Sequence, residues 1–264
     1  MNEDERIGNV KAWWNETSDS EWYRSLRTEE QINRLKTDPA SAFHPAVFEL
    51  IRKYLPDLNH LKILLPSSGD NHVAFALAMM GAQVTSADIS ERQLENAADI
   101  AKRLHLDIEF ICDDTMKLSR IPDSAFDMVY TSNGTLSWID DLDGMNRNIC
   151  RVLKQGGYAV LYDMHPFNRP FSGDAFKEPK IVKSYQDVFP DLHWRIQDIV
   201  NSQIRSGLAV CEMAELPALD ASFWYAYDEL RQKSRSELEG INDWKKNPLA
   251  ALPAWLALVS RKIG

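Results

Sequence analysis

The residues best suited to chemistry stand at the ends of short apolar runs. They are residues 67–71 after the first run, Asp88 after the second, Asp113 and Asp114 after the third, Ser132 and Asn133 after the fourth, and residues 163–166 after the fifth. A loop of small residues lets a ligand approach the backbone, and a carboxylate at a strand end accepts hydrogen bonds from ribose hydroxyls. The pattern therefore predicts a ligand-binding edge.

Alternating strands and helices are needed to bring these residues together. Strands are predicted over residues 63–65, 83–87, 108–111, 126–130 and 158–162, and a later pair, 208–213 and 255–260, is expected to form an antiparallel edge. Helices are predicted over residues 29–36, 45–54, 72–80, 91–104, 142–153 and 198–206. This rhythm indicates βαβ crossovers. The predicted fold class is α/β and doubly wound, with a mostly parallel seven-stranded sheet and helices on both faces.

The first strand and its loop carry a family resemblance. The block LLPSSGDNHVAFALAMMGAQVTSADIS resembles motif I of the class I S-adenosylmethionine-dependent methyltransferases, which have a Rossmann-like fold. The family's G-x-G-x-G becomes Ser67, Gly69 and Asn71 here, and we expect Asn71 to tolerate a left-handed backbone. Leu65 stands where the family has an acidic residue that supports binding of the methionine amino group. Asp70 or an N-terminal residue is expected to substitute.

The second and third strand ends extend the resemblance. Asp88 lies about twenty residues after the loop, where a carboxylate binds a ribose, and Ser90 is left to cap the next helix. In IEFICDDTMKL, Asp114 matches the acid that accepts the adenine amino group, with a backbone amide of Thr115 or Met116 facing the ring. The resemblance implies S-adenosyl-L-methionine as cofactor. The predicted cofactor-binding residues are Ser67, Ser68, Gly69, Asn71, Asp88, Ile89, Asp114, Thr115, Met116 and Ser132.

The most specific stretch is FDMVYTSNGTLSWIDDLDGMNRNICRVLKQGGYAVLYDMHPF, which closely resembles the family pattern from strand four through strand five. Gly156 and Gly157 are predicted to end the helix before strand five. We expect one methyltransferase domain over residues 1–264. Within it, residues 1–60 would form a helical lid, residues 61–166 the cofactor-binding core, and residues 167–264 an acceptor-side segment with the last strands.

Methyl transfer needs alignment more than a catalytic group, because the sulfonium is already an activated leaving group. If the acceptor must lose a proton, His165, just past strand five, is the first candidate for the base, although it can equally cap the strand end. His193 and Arg195 are weaker candidates for acceptor binding. The aromatic residues Trp13, Trp14, Trp22 and Tyr23 are candidates for the lid, or simply for helix packing.

Composition narrows the function classes. A net charge of −9 without a basic cluster argues against nucleic acid, so a small-molecule acceptor is favoured. Three scattered cysteines indicate neither a metal site nor disulfides, and no apolar run suits a signal peptide or a membrane span, which predicts a cytoplasmic protein. One alternative is a non-catalytic nucleoside-binding protein, motivated by Leu65. Another is an NAD-dependent oxidoreductase, although that class predicts G-x-G-x-x-G. The oligomeric state is not predicted.

Overall fold

The computed structural model describes residues 3–132, 134–189 and 192–263. Its centre is a seven-stranded sheet in the order β3-β2-β1-β4-β5-β7-β6. The strands are β1 (Lys62–Pro66), β2 (Gln83–Asp88), β3 (Ile108–Cys112), β4 (Phe126–Thr131), β5 (Leu153–Met164), β6 (Leu208–Leu216) and β7 (Trp255–Lys262). Strands β1 to β5 are parallel. The strand order reverses between β1 and β4, which is where a doubly wound sheet binds its ligand.

The last two strands form the predicted antiparallel edge, since β6 and β7 pair antiparallel at one side of the sheet. Strand β7 lies between β5 and β6 and is antiparallel to both. It follows that β6, at the edge, runs in the same direction as β1 to β5. The order of the two strands, with the later one inside, was not part of the prediction.

Ten α-helices surround the sheet in the described part of the chain. They are α1 (Glu3–Thr17), α2 (Glu21–Leu26), α3 (Glu29–Thr37), α4 (Pro45–Tyr54), α5 (His72–Met79), α6 (Glu91–Leu104), α7 (Leu142–Val152), α8 (Ile196–Arg205), α9 (Tyr227–Gln232) and α10 (Arg235–Leu238). Side-chain caps set where the helices of the core begin: Asn71 caps α5, Ser90 caps α6 and Asp141 caps α7. None of the helices in the described ranges is both long and hydrophobic enough to span a bilayer.

Each face of the sheet has its own hydrophobic core. Along β1, Ile63 and Leu65 belong to one core, and Leu64 belongs to the other. Successive side chains of a strand point to opposite faces, so a strand covered on both sides reads as a continuous apolar run. The run that predicted β1 thus reflects burial on both faces.

The glycine pair before strand five has a different role from the predicted helix cap. Helix α7 ends at Val152, and Leu153 already belongs to β5. Gly156 has φ +76°, and the register against β4 shifts between Phe126 and Met128. Gly156 and Gly157 therefore lie in an irregularity inside β5, where a positive φ favours glycine.

Candidate active site

A cavity of about 370 Å³ lies at the carboxyl edge of the sheet. All ten residues of the predicted cofactor-binding set line it: Ser67, Ser68, Gly69, Asn71, Asp88, Ile89, Asp114, Thr115, Met116 and Ser132. They reach the cavity because the carboxyl ends of parallel strands meet at one edge of the sheet. Asn133, also noted from the sequence, lies outside the described residues.

The loop after β1 keeps a glycine-type turn with fewer glycines. Ser67 and Gly69 have φ +50° and +53°, whereas Asn71 has φ −62° and caps α5. The left-handed conformation that Asn71 was expected to tolerate thus falls on Ser67 and Gly69, and Asn71 does not adopt it. At Gly69 a Cβ would be strained by the positive φ and would also displace the side-chain amide of Gln93.

Asp88 joins the turn after β1 to the turn after β2. Its Oδ2 accepts a hydrogen bond from the Gly69 amide at 2.8 Å, and its Oδ1 accepts one from the Ser90 amide at 2.8 Å. Burial raises the pKa of this carboxyl to about 6, against the lowering effect of the backbone hydrogen bonds. Ser90 caps α6 as predicted, since its hydroxyl accepts from the Gln93 amide.

Asp114 presents a hydrogen-bond acceptor with no protein partner. Its Oδ1 accepts from the Met116 amide at 2.9 Å, while Oδ2 is buried and has no partner among the described residues. Burial raises the pKa of this carboxyl above its usual value. The Met116 amide already donates its hydrogen bond to Asp114. Of the two amides predicted to face an adenine ring, that of Thr115 is therefore the remaining candidate. A buried, unpaired acceptor is costly, and the exocyclic amine of an adenine would satisfy it.

Small hydroxyl groups also line the cavity. The Ser68 hydroxyl is buried and has no partner in the described part of the chain. The hydroxyl groups of Ser67 and Thr115 are hydrogen-bonded to each other at 2.6 Å, and Asn71 donates to the Ser132 hydroxyl at 2.6 Å. With the unpaired oxygen of Asp114, these groups suit a ligand with several polar groups, such as an adenosyl amino acid.

The N-terminal helices cover the cavity. Side chains of α1 and α2 line it: Arg6, Ile7, Val10, Trp14, Trp22, Tyr23 and Leu26. Trp13, also proposed for a lid, is 46% exposed and packs on Trp138, which itself lines the cavity. The cover is held at the cavity rim because Oδ1 of Asn15 accepts a hydrogen bond from the Ser90 hydroxyl at 2.7 Å.

His165 does not line the cavity. Its ring is fully buried, with Nε2 2.9 Å from Oε1 of Glu215 and Nδ1 accepting a hydrogen bond from the Phe167 amide. Burial lowers the pKa of His165, although Glu215 opposes this. Both ring nitrogens are therefore occupied, and the capping alternative describes the observed geometry. Arg195 likewise is not in the lining and pairs with Asp198 at the start of α8.

His72, which the sequence analysis did not single out, does line the cavity. It is the first residue of α5, and its Nε2 lies 2.8 Å from the Leu26 carbonyl oxygen. A carbonyl only accepts, so Nε2 carries the proton, and the neutral ring keeps an acceptor at Nδ1. Burial lowers the pKa of His72, which favours this neutral form. The sequence signal that could have indicated His72 as a cavity residue is its place directly after Asn71, at the end of the motif I loop.

Comparison with known proteins identifies related chains. Residues 64–161 match the family described as a methyltransferase domain. The chain is 27% identical over 160 residues to the uncharacterized methyltransferase YbaJ of Bacillus subtilis, and this match covers 60% of the chain and 62% of YbaJ. The chain thus spans somewhat less than two thirds of this curated relative.

Solved structures share the fold. One is an S-adenosylmethionine-dependent methyltransferase from Mesorhizobium loti, with TM-score 0.60, 22% identity, and coverage of 82% of this chain and 97% of that chain. Another is the magnesium protoporphyrin IX methyltransferase of Synechocystis with bound S-adenosylmethionine, with TM-score 0.60, 14% identity and 97% of both chains covered. At these identities the likeness establishes a Rossmann-like methyltransferase fold.

Proposed function

We propose that the chain is a class I S-adenosylmethionine-dependent methyltransferase that transfers the cofactor's methyl group to a small-molecule acceptor, a proposal supported by the match of residues 64–161 to a methyltransferase domain. The observation that carries the proposal is the convergence of the Gly69 turn, Asp88 and Asp114 on one cavity. These three positions match the parts of an adenosyl group in order along the sheet edge. A cavity of about 370 Å³ is also within the size range of small-molecule sites.

Each part of the cofactor has a proposed partner. Asp114 would accept from the adenine amine through its unpaired Oδ2, and Met116 would pack on the ring. Asp88 would accept from the ribose hydroxyls, and Ile89 and Thr115 would border the nucleoside. Ser67, Ser68, Gly69, Asn71 and Ser132 would surround the methionyl end.

The chemistry requires little more than alignment and exclusion of water. The bound cofactor supplies a methyl group already activated by the positive sulfonium. The aromatic residues Trp14, Trp22 and Tyr23 would keep water from the reacting atoms and favour the cation through their ring faces. Orientation of the reactants alone can lower the activation free energy by on the order of 7–11 kcal/mol.

His72 is our candidate for holding the proton of an acceptor hydroxyl or amine. It lines the cavity, and its neutral form, with Nε2–H bonded to the Leu26 carbonyl, presents Nδ1 as an acceptor. His165, the base favoured from the sequence, is less well supported because its nitrogens contact Glu215 and Phe167.

Each of three parts of the chain has a proposed role in this function. Residues 1–60 would act as the cap of the cavity and residues 61–166 as the cofactor-binding core. Residues 167–264 would complete the acceptor side, because Tyr227 of α9 lies 5.2 Å, ring to ring, from Trp22 of the cap. Three free cysteines and the acidic composition support a cytoplasmic protein that does not bind nucleic acid.

Calorimetry with S-adenosylhomocysteine and NADH tests the proposal. We expect saturable binding of S-adenosylhomocysteine, and none of NADH. Transfer of radiolabelled methyl from S-adenosylmethionine to a small-molecule extract would separate an enzyme from a non-catalytic nucleoside-binding protein, the alternative that Leu65 motivates. Binding of NADH alone would refute the proposed function.

A further inference from the structure

The acid that class I methyltransferases carry on strand one is absent here, and the chain needs another partner for the methionyl ammonium group. Leu65 occupies that position and is 1% exposed within a hydrophobic core. A buried leucine offers no counter-charge. If the cofactor proposed above binds, another acceptor must take this role, and a carboxylate would also supply the counter-charge.

Three acidic side chains line the cavity in the described part of the chain: Asp70, Asp88 and Asp114. Asp88 is bonded to the turns on both sides of it, and Asp114 lies beyond it along the sheet edge. Asp70 follows Gly69 directly, in the loop that also carries the buried, unpaired hydroxyl of Ser68. Its position in the loop places it at the methionyl end.

Asp70 is held from the cap. Oδ2 of Asp70 accepts a hydrogen bond from Nε of Arg27 at 2.7 Å, and the Asp70 side chain is buried while that of Arg27 is half-buried. The remaining guanidinium nitrogens of Arg27 face the Ser18 carbonyl and Asp19, which orients the guanidinium. Arg27 therefore occupies one oxygen of Asp70 and leaves the other for a cationic ligand.

We propose that Asp70, positioned by Arg27, binds the ammonium group of the cofactor and replaces the missing strand-one acid. This inference rests on the proposed function. Burying a paired carboxylate and guanidinium costs desolvation energy that an apolar pair would avoid, so their retention here is consistent with a binding role. Arg27 belongs to the cap formed by residues 1–60. The contact between Arg27 and Asp70 therefore links the cap to the part of the site that would bind the amino-acid group of the cofactor.

Two ligands that differ only at the methionyl end provide the test. S-adenosylhomocysteine carries the amino-acid group, and 5′-methylthioadenosine lacks it. We expect the wild-type protein to prefer S-adenosylhomocysteine, and Asp70→Asn to reduce the ratio of the two affinities by at least about tenfold. The double variant Asp70→Asn/Arg27→Met should lose the preference as well, without leaving a buried arginine unpaired.

Arg27 should show the behaviour of a positioning residue. Arg27→Met should lower the affinity ratio, and Arg27→Lys should restore part of it, whereas loss of a purely structural contact would weaken both ligands equally. Arg92→Met is the matched control, because Arg92 pairs with Asp19 of the cap but does not line the cavity. It should leave the ratio unchanged. Circular dichroism confirms that each variant is folded.

The two possible failures are distinguishable. If the wild-type protein binds neither ligand, both the proposed function and this inference are overturned. If it prefers S-adenosylhomocysteine and the folded Asp70 variants keep that preference, only the assignment to Asp70 is overturned.

Discussion

The Asp88 carboxylate and the Gly69 amide are 2.8 Å apart, and this bond connects two of the turns that border the cavity. Asp88 therefore has a double role, since it shapes the turn after β1 before any ligand arrives. A ligand that bonds to Asp88 meets a group already fixed in place. Preorganisation of this kind raises affinity, because less order has to be imposed on binding.

Replacing Asp88 should affect both stability and binding. In Asp88→Ala, the amides of Gly69 and Ser90 lose their acceptor, and we expect the free energy of unfolding to fall by about 1–3 kcal/mol. Calorimetry should show S-adenosylhomocysteine affinity reduced at least about tenfold. Asp141→Ala is the control, because Asp141 likewise accepts a hydrogen bond from a backbone amide, that of Gly144, but does not line the cavity. Equal loss of affinity in both variants would argue against a ligand role for Asp88.

The raised pKa of Asp88 predicts a pH dependence with a definite sign. Its pKa is about 6 in the folded protein, against 3.8 for the unperturbed group. Between these values the folded state binds more protons than the unfolded state, so this group makes stability fall as pH rises. The effect is absent below 3.8 and complete above about 6. Melting temperatures of the wild type and Asp88→Asn across this range should show a flatter profile for the variant. Parallel profiles would contradict the assignment.

The same titration should govern ligand binding. A protonated Asp88 loses acceptor capacity, so S-adenosylhomocysteine affinity should decline as pH falls through about 6. Calorimetry in buffers on either side of this value provides the measurement. An affinity that stays constant across this range would show that Asp88 does not accept hydrogen bonds from the ligand.

Ser67 has a left-handed backbone that favours glycine. Ser67→Gly and Ser67→Ala both remove the hydroxyl that bonds Thr115, but only the glycine relieves the strain at φ +50°. We expect the glycine variant to be more stable than the alanine variant by about 1 kcal/mol. Denaturant unfolding of the two proteins measures this difference. The opposite order of stability would contradict the strained conformation.

The two histidines should respond differently to substitution. His72→Gln keeps a donor for the Leu26 carbonyl but removes the proton acceptor, so methyl transfer to a small-molecule extract should slow by about 10²–10⁴-fold. Binding of S-adenosylhomocysteine should be nearly unchanged. His165→Asn retains an acceptor for the Phe167 amide and should keep most of the transfer rate. The reverse result would restore His165 as the catalytic base.

The parts of the fold that sequence predicts well are those encoded locally. The apolar runs of β1 to β5 and the cap residue Ser90 follow from neighbouring residues, and the predicted fold class is confirmed. The position of β7 between β5 and β6 depends on pairing between distant segments, which local patterns do not encode.

Side-chain direction was harder to predict for the site. His165 and His72 both stand next to a strand end or loop at the correct edge of the sheet, and spacing alone does not show which ring faces the cavity. Propensity favours Asn71 as a residue that tolerates a left-handed backbone, yet Asn71 caps α5 with a negative φ. The positive φ is found at Ser67 instead. Asn71 could serve either as a left-handed turn residue or as a helix cap, and the structure uses it as the cap.

Strand β7 also bears on how the chain assembles during synthesis. It follows all six of its companions in chain order, yet it occupies an interior place in the sheet, with Leu256, Ala257, Leu258 and Val259 almost fully buried. Until β7 leaves the ribosome, β5 lacks a partner on one edge and β6 has no strand partner. Nascent chains halted before residue 255 should therefore expose unpaired strand edges, which favour aggregation and binding by chaperones.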